Sequence, residues 1–60
     1  MADGDIRILI VDDQEIIRDG LALVLSRQSG INVLATAADG QAAVVMAQRH
    51  RPDVVLLDLQ

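Results

Sequence analysis

The 60 residues contain no cysteine, no aromatic side chain, no lysine and a single proline. Each absence closes off a class of protein. Without cysteine there are no disulfides and no thiolate zinc site, so nothing staples a chain that, at this length, buries only about 60% of its unfolded surface. The same absence fits a reducing compartment. Without Phe, Tyr or Trp there is no platform for base stacking and no aromatic ligand box. Nine acids stand against five bases, all arginine, for a net charge of −4. That balance disfavours direct binding of nucleic acid, whose phosphates demand a basic surface. Long apolar runs are missing too: Ala42 to Ala47 is one of the longest, far short of the ~20 residues that span a bilayer. Met1 to Asp5 is a polar, acidic leader, unlike a targeting segment. The expectation is a soluble, cytoplasmic chain with no membrane partner, holding any ligand by charge and backbone.

What is present is organised around Ile8 to Glu15, ILIVDDQE. A run of Ile, Leu and Val without polar alternation suits a strand buried on both faces, as in a parallel sheet covered by helices. The strand is expected over Ile6 to Val11, with Asp12 and Asp13 just past its carboxyl end, where open parallel sheets bind ligands. From Gln14 the period changes: Ile17, Leu21, Val24 and Leu25 recur at helical spacing through about Arg27, and Ser29-Gly30 stops the helix. Either Asp12 or Asp13 can cap it. A second strand is expected over Asn32 to Ala37. Asp39 then caps a second helix whose Ala43, Val44 and Ala47 face inward. Arg49, His50 and Arg51 complement the negative end of that helix, and Pro52 prevents its continuation. Asp53 to Asp58, DVVLLD, is another unalternating run ending in an acid, hence a third strand.

The order β-α-β-α-β predicts a single α/β unit of parallel strands joined by right-handed crossovers. Two sheet orders remain open. In the order 2-1-3 the first and third strands lie side by side at a switch in strand order, and Asp12, Asp13 and Asp58 converge. Carboxylates ~5 Å apart repel by about 3 kcal/mol at an effective dielectric of ~20, so such a group must hold a proton or a cation. A divalent cation is the simpler answer. Magnesium takes oxygen ligands from one or two carboxylates, keeps several waters and leaves positions for phosphate oxygens. One carboxylate can then serve as nucleophile and form an aspartyl phosphate. Simpler roles stand beside these. The Asp12-Asp13 pair can be a helix cap alone, whereas Asp58, directly after VVLL, is costly to bury unpaired. His50 reads as a solvated helix end, Asp39-Gly40 as cap and turn, and Met46 as core packing.

Together IRILIVDDQEIIRDGLALVL, AADGQAA and RPDVVLLDL resemble the receiver domain of bacterial two-component response regulators, over the whole chain. The wording is most similar to regulators with a carboxyl-terminal helix-turn-helix DNA-binding domain. The resemblance implies a flavodoxin-like, doubly wound parallel sheet, here its first β-α-β-α-β part in the order 2-1-3, with residues 1–60 as the N-terminal part of one receiver domain. It also implies that Asp58 accepts a phosphoryl group from the phosphohistidine of a partner sensor histidine kinase. Asp13 would bind Mg2+ directly, Asp12 mainly through metal-bound water, and the backbone carbonyl of Gln60 would complete the ligands alongside Asp58. Receivers of this family catalyse their own phosphorylation and dephosphorylation, and control an output that for this subfamily is transcription. A complete receiver continues through two more strands and three more helices. The family's switch Ser or Thr and its lysine therefore have no counterpart here.

The competing reading is a non-phosphorylated interaction module whose acids are vestigial and which dimerises through the edge of the third strand. A magnesium-dependent phosphohydrolase fits poorly, because its best-known motif spaces two acids one residue apart. A nucleotide-binding reading fits worse, since no Gly-rich loop follows the first strand.

Overall fold

In a computed structural model the chain forms β1 (Ile6–Asp12), α1 (Glu15–Ser26), β2 (Ile31–Ala37), α2 (Gly40–His50) and β3 (Val54–Asp58). The structure describes residues 4–58. All strands are parallel and the sheet order is β2-β1-β3, so the order implied by the family resemblance is the one adopted.

Why β1 lies in the middle follows from its side chains. Ile8, Leu9, Ile10 and Val11 are all buried, as a strand covered on both faces requires. Leu9 and Val11 pack with Ala37, and against them lie Ala35 and, from α2, Ala42, Ala43, Met46 and Ala47. The alanines among these α2 positions let the helix sit close to the sheet. Alternation sends Ile8 and Ile10 to the opposite face. Both helices contact β1 and β2, and neither contacts β3. The core is therefore centred on one strand, and all five residues of β3 are exposed.

The faces of the two helices depart in part from the sequence reading. The expected inward stripe of α1 is only half realised: Leu21 and Leu25 are half-buried, whereas Ile17 and Val24 are exposed. Val44 of α2 is likewise exposed, not inward-facing. One cause serves for both helices. Each covers part of a narrow sheet without a neighbouring helix, so residues on its flanks have nothing to pack against.

The turn after α1 enters β2 through Gly30 at φ 84°, and its carbonyl accepts the Ile6 amide at 2.8 Å. Only glycine takes that backbone without strain. At the far end of α2, Arg51 adopts the left-handed conformation, φ 51° and ψ 63°, and donates its amide to the Ala47 carbonyl at 2.8 Å. A non-glycine residue there costs on the order of 1 kcal/mol, which the surrounding bonds offset. Those bonds come from Arg7 on β1. Its guanidinium donates to the carbonyls of His50 and Arg51, and its main chain pairs with Asp53 in both directions. Arg7 thus ties the end of α2 and the start of β3 to the start of β1, while Arg49 and His50 stand in the last turn of α2, where the sequence reading placed them as complements to the dipole.

A carboxylate site at the carboxyl edge of the sheet

Asp12 is the last residue of β1 rather than the first beyond it, and that position decides its environment. It is 1% exposed, although it is a carboxylate. Oδ1 accepts the backbone amide of Gln14 at 2.9 Å, while Oδ2 is buried and, among the described residues, has no hydrogen-bond partner. The Asp12 carbonyl accepts Nη1 of Arg18, on α1, at 3.0 Å. Strand end, turn and helix are thereby locked together.

This arrangement corrects the capping role expected for the acidic pair. The N-cap of α1 is Gln14, whose side chain makes no cap bond. Asp12 holds the amide of the cap residue itself, the side-chain-to-backbone turn that Asp favours. Glu15 supplies the negative charge in the first turn. By contrast, Asp39 caps α2 as expected, accepting the Ala42 amide at 2.8 Å.

The register of the sheet places Asp58 directly across from Asp12, because Ile8 pairs with Val54 and the match runs unbroken to Asp12 and Asp58. The two acids therefore end adjacent parallel strands. Their surroundings differ: Asp12 is enclosed and Asp58 is exposed. Asp13 follows Asp12 and is exposed. Gln60, whose carbonyl was expected to join them, lies outside the described residues. Among the described residues no three His, Cys, Asp or Glu side chains are gathered closely enough to enclose a metal ion. What the strand register brings together is a pair, Asp12 and Asp58.

That pair fits a hard divalent cation. Oδ2 of Asp12 is a buried carboxylate oxygen without a partner among the described residues, and a second acid, Asp58, stands in register on the neighbouring strand. Magnesium binds through one or two carboxylates and retains several waters, so a third protein carboxylate is not required. His50 sits at the opposite edge, next to Arg7 at the start of β1, and takes no part. The residue that sequence reasoning missed is Arg18. Its signal was a single base within DDQEIIRD, four positions after the cap residue and so on the same face of the first turn.

A parallel, doubly wound α/β sheet in the order β2-β1-β3, with acids at the carboxyl ends of adjacent strands, defines the first part of a flavodoxin-like domain and sets those acids at the switch in strand order. The model of the response regulator receiver domain matches residues 8–60, and the chain belongs to that family. It is 51% identical over 61 residues to a protein-glutamate methylesterase/protein-glutamine glutaminase 2 of Anaeromyxobacter dehalogenans, covering 98% of this chain and 18% of that protein. To the transcriptional regulatory protein LnrK of Bacillus subtilis it is 46% identical over 55 residues, or 92% of this chain and 25% of the relative. The oxygen regulatory protein NreC of Staphylococcus epidermidis is 45% identical over 53 residues, covering 88% and 24%. The chain spans about a fifth to a quarter of the length of these relatives. No solved structure matches it. Among the described residues no helix is long and apolar enough to cross a membrane.

Proposed function

We propose that these residues are the N-terminal part of a phosphoacceptor domain, in which Asp58 takes a phosphoryl group from the phosphohistidine of a sensor histidine kinase. The supporting observation is the contrast between the paired acids. Asp58 is exposed and can meet a donor, while its in-register neighbour Asp12 is buried with one oxygen unpartnered. An Asp58 oxygen forms the new P–O bond as the P–N bond of the donor breaks. The electron pair returns to the imidazole nitrogen, which takes up a proton. Asp12, Asp13 and Asp58, with the Gln60 carbonyl, are the proposed holders of Mg2+, which when bound neutralises charge on the phosphoryl oxygens. Asp12 contributes by being fixed: its carboxylate is held by the Gln14 amide and needs no reorganisation when a cation arrives.

The output controlled by this domain is transcription in the reading we favour, because LnrK is named a transcriptional regulatory protein. The experiment is labelling with acetyl phosphate followed by intact mass. The protein should gain the mass of one phosphoryl group, and Asp58→Asn should gain none. Unchanged labelling of Asp58→Asn would remove Asp58 from the mechanism.

A second reading has its own observation. All five residues of β3 are exposed, and among the described residues β3 bonds to β1 alone. An interaction module that dimerises through the outer edge of β3, without phosphorylation, would use that strand.

A further inference from the structure

Arg18 binds the main chain of Asp12, and it does so from a different element. Its Nη1 donates to the Asp12 carbonyl at 3.0 Å while Arg18 itself is half-buried. Asp12 is the point at which β1 stops and the chain turns into α1, so its carbonyl is where the direction of that turn is set. On the other side of the same residue, Oδ1 is engaged by the Gln14 amide at 2.9 Å. The two bonds restrain the peptide and the carboxylate of Asp12 from opposite ends. Oδ2 is then left buried and, among the described residues, without a partner.

We infer that Arg18 is a positioning residue for the carboxylate site: by fixing the Asp12 peptide it holds Oδ2 ready for a divalent cation. The inference rests on the phosphoacceptor reading for the identity of that ligand. It makes a prediction opposite in sign to the one that charge alone makes. An arginine near a group of acids repels an incoming cation, so if Arg18 acted only through its charge, removing it would tighten cation binding. If it acts by positioning, removing it weakens binding, as loss of residues that orient metal ligands does, by about 10- to 100-fold. The geometry favours positioning. The guanidinium is directed at a main-chain carbonyl, and that bond restrains the ligand residue itself.

The experiment is a titration of the full chain with magnesium alone, followed through backbone amide shifts, with Mn2+ line broadening to locate the ion. In the parent sequence the shifts should concentrate at Asp12, Asp13 and Asp58. If they do not, the carboxylate site fails, whatever Arg18 does. Arg18→Met keeps the aliphatic stem and removes the donor. It should weaken magnesium binding by about tenfold, at the lower end of the range for such residues, while amides of β2 and α2 keep their dispersion. Arg18→Lys keeps a donor and should recover most of the affinity. Equal or tighter binding by Arg18→Met would overturn the inference. Should Arg18→Met not fold, the unsubstituted chain decides. The Arg18 Nη protons should then exchange slowly and shift with magnesium; rapid exchange with no shift would equally overturn it.

Discussion

Asp12 carries the main energetic cost of the site. A buried carboxylate with one oxygen lacking a donor forgoes about 1–3 kcal/mol relative to a satisfied group, and here a second acid lies across the strand pair. Replacing Asp12 by Asn keeps the acceptor for the Gln14 amide and removes the negative charge. Asp12→Asn should therefore stabilise the cation-free chain by about 1 kcal/mol in a denaturant titration, because it removes an unscreened charge of this kind. The parent sequence should gain about 1 kcal/mol at a magnesium concentration several times its dissociation constant, and Asp12→Asn should gain much less. A variant less stable than its parent without cation would show that the charge of Asp12 costs less than burying an unpartnered Asn amide nitrogen in its place. That penalty was not legible from sequence. The acids were visible in VDDQE, but which of them was enclosed depended on β1 running one residue further than its apolar stretch.

At the scale of elements, Arg7 joins three of them. It stands on β1, donates to the last carbonyls of α2, gives its amide to the Asp53 carboxylate and accepts the Asp53 amide at the entry to β3. A cation at a helix carboxyl end also complements the dipole. Arg7→Met keeps the stem and the main-chain bonds but loses the guanidinium, so it should cost about 1–3 kcal/mol of unfolding free energy, the range for hydrogen bonds to a charged group. Hydrogen exchange should localise the loss to the last turn of α2, with α1 unaffected. A uniform loss across both helices would mean that Arg7 acts on the sheet instead. Local sequence nominated Arg49, His50 and Arg51 as complements to the helix dipole, and Arg49 and His50 do stand in the last turn; binding the last carbonyls from the sheet is a separate task. A residue more than forty positions away does it because parallel crossovers return the end of each helix to the start of the central strand.

At the scale of the molecule, the helices cover β1 and β2 and leave β3 bare. Val54, Val55, Leu56 and Leu57 are all exposed. A strand of β-branched and apolar residues without proline or lysine invites pairing with another strand edge. For a molecule made of these 60 residues, we expect a two-fold dimer with β3 strands antiparallel across the axis, since an isologous contact consumes both open edges. Sedimentation at several concentrations should show association, and Val55→Lys should weaken it. A folded monomer at high concentration would dispose of the dimer.

By itself the sequence determined the elements and their order. Unbroken apolar runs, a change of period at Gln14, a cap at Asp39 and the stop at Pro52 are all local, and local chemistry is enough to place them to within a residue or two. Its DD, DG and RPDVVLLD wording also determined the family, since the receiver model matches residues 8–60. Tertiary structure alone decided everything that depends on what lies across from what. The register of β1 against β3 sets Asp12 opposite Asp58, and the single helix on each face leaves Ile17, Val24 and Val44 exposed. Arg7 became a structural residue only because folding brought carbonyls more than forty positions away within its reach, whereas Arg18 reaches a carbonyl only six positions back, across the turn from β1 into α1. Hydrophobic periodicity records which side of an element is apolar, whereas burial and hydrogen bonding depend on the neighbour, and the neighbour is chosen by the whole sheet.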